Sequence, residues 1–343
     1  LVGAGGTRRI TARLDNQGLV TLNQPLTLDG ASAVHSNSGT IDASLANFTL
    51  TQSATTPSFT NSSTGILTIG AGFTLTVASG TFTQGGTLNG GGTVTLNNVT
   101  SNFNAAFTLG ALNVSSGTAS FATNLSTGVQ ALSFTNATIN GPGTITNVAG
   151  QTLAIRTSTI GATSALINQG TAVVSGSSAV DGPLTTAAGS TLQVNGTSGT
   201  ATLTSAGSFT NNGLIELTST GAAYSATLEV TAGTLTNASG GTIATLVGAG
   251  GSRRISAVVD NQGSITVHPG PSSSGILNIV GSLTTSGMLN VELGGTVAGT
   301  GYSQVTVTGT ATLGGTLNFS LVSFTPTTGN TFDILTSSGA LSG

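Results

Sequence analysis

The chain has few groups able to do chemistry, and they are far apart. Its nine carboxylates are Asp15, Asp29, Asp42, Asp181, Asp260, Asp333, Glu216, Glu229 and Glu292. Glycoside cleavage needs two carboxyl groups about 5–9.5 Å apart. The nearest pairs in sequence, Asp29/Asp42 and Glu216/Glu229, are each 13 residues apart. Only the stacking of distant segments could unite acids so placed, and they read as solvated strand-edge and turn residues. Asp15 and Asp260 each follow an arginine, Arg9 and Arg254, by six residues. That spacing predicts an Arg–Asp contact between neighbouring coils.

The two histidines, His35 and His268, have no cysteine and no sequence cluster of acids beside them. They do not read as metal ligands. No histidine lies close in sequence to a serine in a nucleophile–base arrangement. The glycines of Gly85–Thr93 lack the strand–loop–helix setting of a phosphate cradle. No calcium-binding nonapeptide with regular aspartates recurs. Sequons such as Asn98-Val99-Thr100 and Asn195-Gly196-Thr197 arise from a composition rich in Asn, Ser and Thr. No catalytic, cofactor-binding or metal-ligating residue is assigned, no cofactor is expected, and the chain reads as a non-enzyme.

Charge narrows the partners. Charged residues are 4% of the chain, its six basic residues are all arginine, and the net charge is −3. No basic stripe exists to neutralise phosphates, so nucleic acid is not an expected partner. No run of about 18 apolar residues predicts a membrane-spanning helix. Hydrophobic residues nevertheless make up 37% and alternate with polar ones, which predicts order rather than a disordered low-complexity chain. With no cysteine, the backbone ladder and the core must hold the fold.

The elements that place these residues are repeats. Leu1–Arg9 (LVGAGGTRR) recurs as Leu246–Arg254 (LVGAGGSRR), and Ile10–Gly18 aligns with Ile255–Gly263, an offset of 245 residues. The chain therefore divides into a long repeat over 1–245, the start of a second copy over 246–268, and a β-rich segment over 269–343. The prolines of His268-Pro269-Gly270-Pro271 mark the last boundary. A shorter phrase recurs along the chain, apolar–x–Asn–x–Gly followed by an alternating run. Copies lie at Leu14–Leu22, Leu166–Val174, Phe209–Leu217 and Val259–Val267. Asn and Gly tolerate the left-handed backbone of tight corners, and the alternating run is a strand signal.

In Thr74-Leu75-Thr76, Thr81-Phe82-Thr83 and Thr93-Val94-Thr95 the middle residue points inward. The predicted core positions are Leu75, Phe82, Val94, Ile145, Val173, Ile215 and Ile265. The intervals Asn168–Asn211 and Asn211–Asn261, 43 and 50 residues, predict two rungs each, hence rungs of about 21–25 residues and roughly 15 in all. A turn phrase repeated in register favours stacked coils over a β-sandwich. The expected fold is an all-β parallel β-helix.

The segment Leu289–Leu321 (LNVELGGTVAGTGYSQVTVTGTATLGGTLNFSL), followed by Phe324–Leu335 (FTPTTGNTFDIL), resembles the passenger repeats of bacterial autotransporter-like and filamentous-haemagglutinin-like surface proteins. The phrase Leu14–Gly18 (LDNQG) is similar to the repeat phrase of the haemagglutinin group. The resemblance implies a right-handed parallel β-helix, exported and displayed on or released from a bacterial cell. It implies a structural rod for adhesion, biofilm matrix or filament assembly, with a carbohydrate- or ice-binding solenoid as the alternative. Expected partners are further copies or covalent continuation at the solenoid ends, and surface glycans. The start at Leu1-Val2-Gly3, without Met or signal peptide, reads as a mature or excised fragment.

Overall fold

A computed structural model describes residues 8–343. The described residues form β-strands with no helix among them. The strands stack in parallel as a β-solenoid of about twelve turns. Turn length varies at the corners. Equivalent inward residues are 18 apart between Val94 and Leu112 but 28 apart between Ile215 and Ile243. Strand length is set by the width of the core. Corner loops face outward and can lengthen at little cost.

The turns divide into two compact units, Leu1–Thr146 with Ser158–Ala165, and Asn147–Thr157 with Leu166–Gly343. In the first unit three ladders alternate along each early turn. One runs from Arg8–Ile10 through Leu26–Leu28, Phe48–Thr51 and Thr74–Ala78 to Thr93–Phe103. A second runs from Asp15–Asn16 through Val34–Asn37 and Ser58–Asn61 to Thr81–Gln84. The third joins Leu19–Thr21, Thr40–Ala43, Ile66–Ile69 and Thr87–Asn89. From Thr93 onward the first two sides fuse into single strands, Thr93–Phe103, Ala111–Phe121 and Ala131–Asn140. The corner in each collapses to a left-handed residue: Asn98 (φ 54°), Ser116 (φ 55°) and Asn136 (φ 50°). Asparagine tolerates that backbone better than most residues.

The core follows from strand alternation. Leu75, Phe82, Val94, Ile145, Ile215 and Ile265 are buried as expected. Val173 is not, because Ala172 and Val174 take the inward positions. Ala172 pairs with Leu192 and Val174 with Val194, so the neighbouring turn sets the phase of this strand. A shift of one residue would turn every side chain over. The first unit also stacks aromatic rings along its axis. Phe59 lies 6.0 Å from both Phe48 and Phe82, Phe82 lies 5.8 Å from Phe103, and Phe103 lies 4.8 Å from Phe121.

The Asn-x-Gly phrases serve a different purpose from the left-handed corner expected of them. Neither Asn16, Asn168, Asn211 and Asn261 nor the glycines two residues on have positive φ. The asparagines are buried and hydrogen-bond one another from turn to turn. Asn16 donates to Asn37 at 2.7 Å, Asn37 to Asn61 at 2.7 Å, and Asn61 to Gln84 at 3.0 Å. In the second unit Asn147 donates to Asn168 at 2.8 Å and Thr186 to Asn211 at 2.9 Å. The file continues from Asn211 to Asn237 at 2.9 Å, to Asn261 at 2.7 Å, and to Thr285 at 3.0 Å. Thr186 and Asn237 are the intermediate rungs within the 43- and 50-residue intervals. The amides also bond the carbonyl that opens the next strand, as Asn237 does at Ser264. The glycine is required by close approach. A Cβ on Gly263 would lie 2.2 Å from the carbonyl oxygens of both Ala238 and Gly241.

Candidate functional surfaces

Most of the scattered acids have local structural partners. Arg9 contacts Asp29, one turn further on, rather than Asp15. The register explains this, because Arg9 pairs with Thr27, two residues before Asp29. Asp15 lies 3.8 Å from Arg13 and accepts the Ser36 hydroxyl at 2.6 Å. Asp260 accepts from Gln262 at 2.7 Å. Asp42 accepts the Ser44 amide at 3.0 Å, and Glu216 accepts the Gln193 side chain at 2.8 Å. No group of three or more His, Cys, Asp or Glu side chains able to hold a metal occurs among the described residues.

The histidines sit in two different settings. His268 meets Glu292 at 3.0 Å, a carboxylate neighbour that sequence proximity does not reveal, because it belongs to the next turn. His35 is fully buried, in register with Phe59 at the end of the phenylalanine stack. Its Nδ1 accepts the Leu14 amide at 2.9 Å, which puts the proton of the neutral ring on Nε2. Burial, and secondarily the charge of Arg13, push its pKa below the ordinary histidine value.

One buried charge escaped the sequence reading. Arg253 is among the largest fully buried side chains. Its guanidinium faces only carbonyls, donating to Gly251 at 3.1 Å, Leu246 at 3.2 Å, Ser252 at 3.3 Å, and Val247 and Tyr224 at 3.4 Å. Burial lowers its pKa to about 10. The side chain folds the glycine-rich Leu246–Ser252 loop around itself. The signal was present in the repeated phrase LVGAGG(T/S)RR, in which glycines free the carbonyls that the arginine gathers. Arg254, the next residue, is exposed.

The outer face of the first unit carries hydroxyls in files. Thr81, Thr100, Thr118, Thr138 and Thr159 pair in register on successive strands. Beside them runs a file of Thr60, Thr83, Asn102, Ser120 and Asn140, two residues along each strand. A second side repeats the pattern with Thr27, Thr49, Thr76 and Thr95. The threonines are therefore more ordered than their scatter in sequence suggests. Paired strands lie about 4.8 Å apart and alternate residues about 6.7 Å apart, so the files form a regular polar grid.

Parallel strands stacked turn on turn around an apolar and amide-lined core define a β-solenoid. No protein-family profile, no curated protein and no solved structure matches this chain.

Proposed function

We propose that the protein is a non-catalytic structural β-solenoid that forms part of an extracellular or cell-surface bacterial fibre or adhesin. The observation that carries the reading is the like-on-like stacking of the turns. Amide on amide and ring on ring favour indefinite axial repetition over the enclosure of a site. The low charge supports it, since like charges stacked one strand apart would repel. The pairing of Asp29, Asp42, Asp260 and Glu216 with neighbouring turns or loops gives those acids structural work. Electron microscopy of the native material tests the proposal. Filaments or stalks about one solenoid wide are expected, and dispersed compact particles would overturn it.

The paired threonine files support a second reading, a solenoid whose outer grid binds a repetitive ligand such as carbohydrate or ice. Strong inhibition of ice recrystallisation, or saturable binding to a glycan, at micromolar protein would favour it. Loss of that effect in Thr100→Leu/Thr118→Leu would assign it to this face.

A further inference from the structure

The charged residues leave one long stretch of the chain empty. Between Asp42 and Arg156 lie 113 residues with no Asp, Glu, Lys, Arg or His. Within that stretch the three fused strands Thr93–Phe103, Ala111–Phe121 and Ala131–Asn140 stack on one another, with strands of the first unit paired to them before and after. Past the one-residue corner, Thr100, Thr118 and Thr138 stand in one outward file and Asn102, Ser120 and Asn140 in the next. All six are exposed or half-buried.

The polar atoms of these side chains are not used by the protein itself. Elsewhere outward side chains on successive turns bond one another. Thr68 donates to Asn89 at 2.9 Å, Gln193 to Glu216 at 2.8 Å, Thr306 to Asn278 at 2.8 Å and Asn318 to Asn290 at 3.0 Å. None of the six makes a side-chain hydrogen bond among the described residues. Spacing gives the reason. Hydroxyls on paired strands keep the strand separation of about 4.8 Å, beyond hydrogen-bond reach, and Ser120 separates the two amides of the second file. The face therefore presents groups that both donate and accept, with no charge among them.

We infer that this face is a binding site for an uncharged, extended polysaccharide lying along the solenoid axis between the two files. The inference rests on the reading of the outer grid as a ligand surface, and it selects glycan over ice. Neutrality decides against ionic ligands, because a charged polymer would lose hydration without meeting a counter-charge. The mixed second file decides against ice. Amide, hydroxyl and amide differ in reach, which a rigid lattice of identical molecules does not match, whereas a sugar chain offers hydroxyls at several heights. Size decides against a second copy. With Thr60, Thr81 and Thr83 the files extend over five strands, about 19 Å, and cover on the order of 300 Å². A stable protein interface takes roughly 800 Å² from each partner.

Calorimetric titration of the full chain with cellohexaose, xylohexaose and mannohexaose, three neutral β-1,4-linked chains, tests the site. Saturable binding of at least one, with a Kd of about 1 mM or tighter, is expected. Hexamannuronate, the acidic counterpart of mannohexaose, should bind about tenfold more weakly or not at all. Thr100→Ala/Thr118→Ala/Thr138→Ala should weaken the neutral binding about tenfold or more. Thr210→Ala/Thr236→Ala, on paired strands of the second unit, should leave it unchanged. Equal loss in both variants, equal binding of hexamannuronate, or no binding of any neutral chain would overturn the inference. Inhibition of ice recrystallisation without glycan binding would overturn it and leave the ligand-surface reading standing, and the absence of both would remove that reading too.

Discussion

The Nδ2 of Asn237 donates to the Oδ1 of Asn261 at 2.7 Å, between two buried side chains 24 residues apart in sequence. The same amide also bonds the carbonyls of Gly241 and Ser264. One side chain thus holds its own corner, the corner of the next turn, and the axial file.

Replacing Asn237 with Leu should therefore cost about 2–4 kcal/mol, because Asn211 loses an acceptor and Asn261 a donor in a dry core. Chemical denaturation measures this. A loss below about 1 kcal/mol would mean the file adds little to stability.

The alternation of Thr74–Ala78 makes a matched pair of variants decisive. Leu75→Asp buries a charge at a fully enclosed position and should unfold its turn or prevent expression of soluble protein. Thr76→Asp points outward into the threonine file and should change stability by about 1 kcal/mol or less. Equal effects would refute the inward and outward assignments.

Two glycines of equivalent sequence position should respond differently to alanine. On Gly263 the added methyl would meet two backbone carbonyls at 2.2 Å, whereas on Gly18 it would meet nothing within 4 Å. Gly263→Ala should cost about 2 kcal/mol or more through backbone displacement, and Gly18→Ala should be near neutral. Paired thermal melts of the two variants provide the comparison.

Arg253→Ala should destabilise by about 2–4 kcal/mol, since it empties a large buried volume and strips donors from the carbonyls of Leu246, Val247 and Gly251. Arg253→Met refills the space and removes the buried charge, so it should recover stability while the loop, still without its donor, is cut faster by protease. Because the folded pKa lies below the unfolded one, burial lowers stability at neutral pH. That penalty should fade as pH rises above about 10.

His35 should make the first unit sensitive to acid. Its folded pKa is depressed, so the unfolded chain binds the proton more tightly. Stability should be full above about pH 6.5 and fall as the pH drops below that value. Protonation also removes the acceptor for the Leu14 amide. His35→Asn retains an acceptor and does not titrate. The difference between denaturation midpoints at about pH 5 and about pH 7.5 should shrink in that variant.

The sequence alone determined whatever depends on neighbours along the chain. Alternation placed Leu75, Phe82 and Val94 inward, because a strand turns its side chains over with period two regardless of what it pairs with. The recurring Asn-x-Gly phrase located the corners, and the 43- and 50-residue intervals were each two turns. Only the tertiary structure decided matters set across turns. Phase is one of them, since Val173 points outward because Ala172 and Val174 are held in register with Leu192 and Val194. Partner choice is another, with Arg9 meeting Asp29 and His268 meeting Glu292. Burial is the third: Arg253 is enclosed by carbonyls drawn from its own loop and from Tyr224, in the loop one turn and 29 residues earlier. The physical reason is common to all three. A local period says how a strand alternates, but corner length decides which residue lies above which, and no period in the sequence encodes corner length.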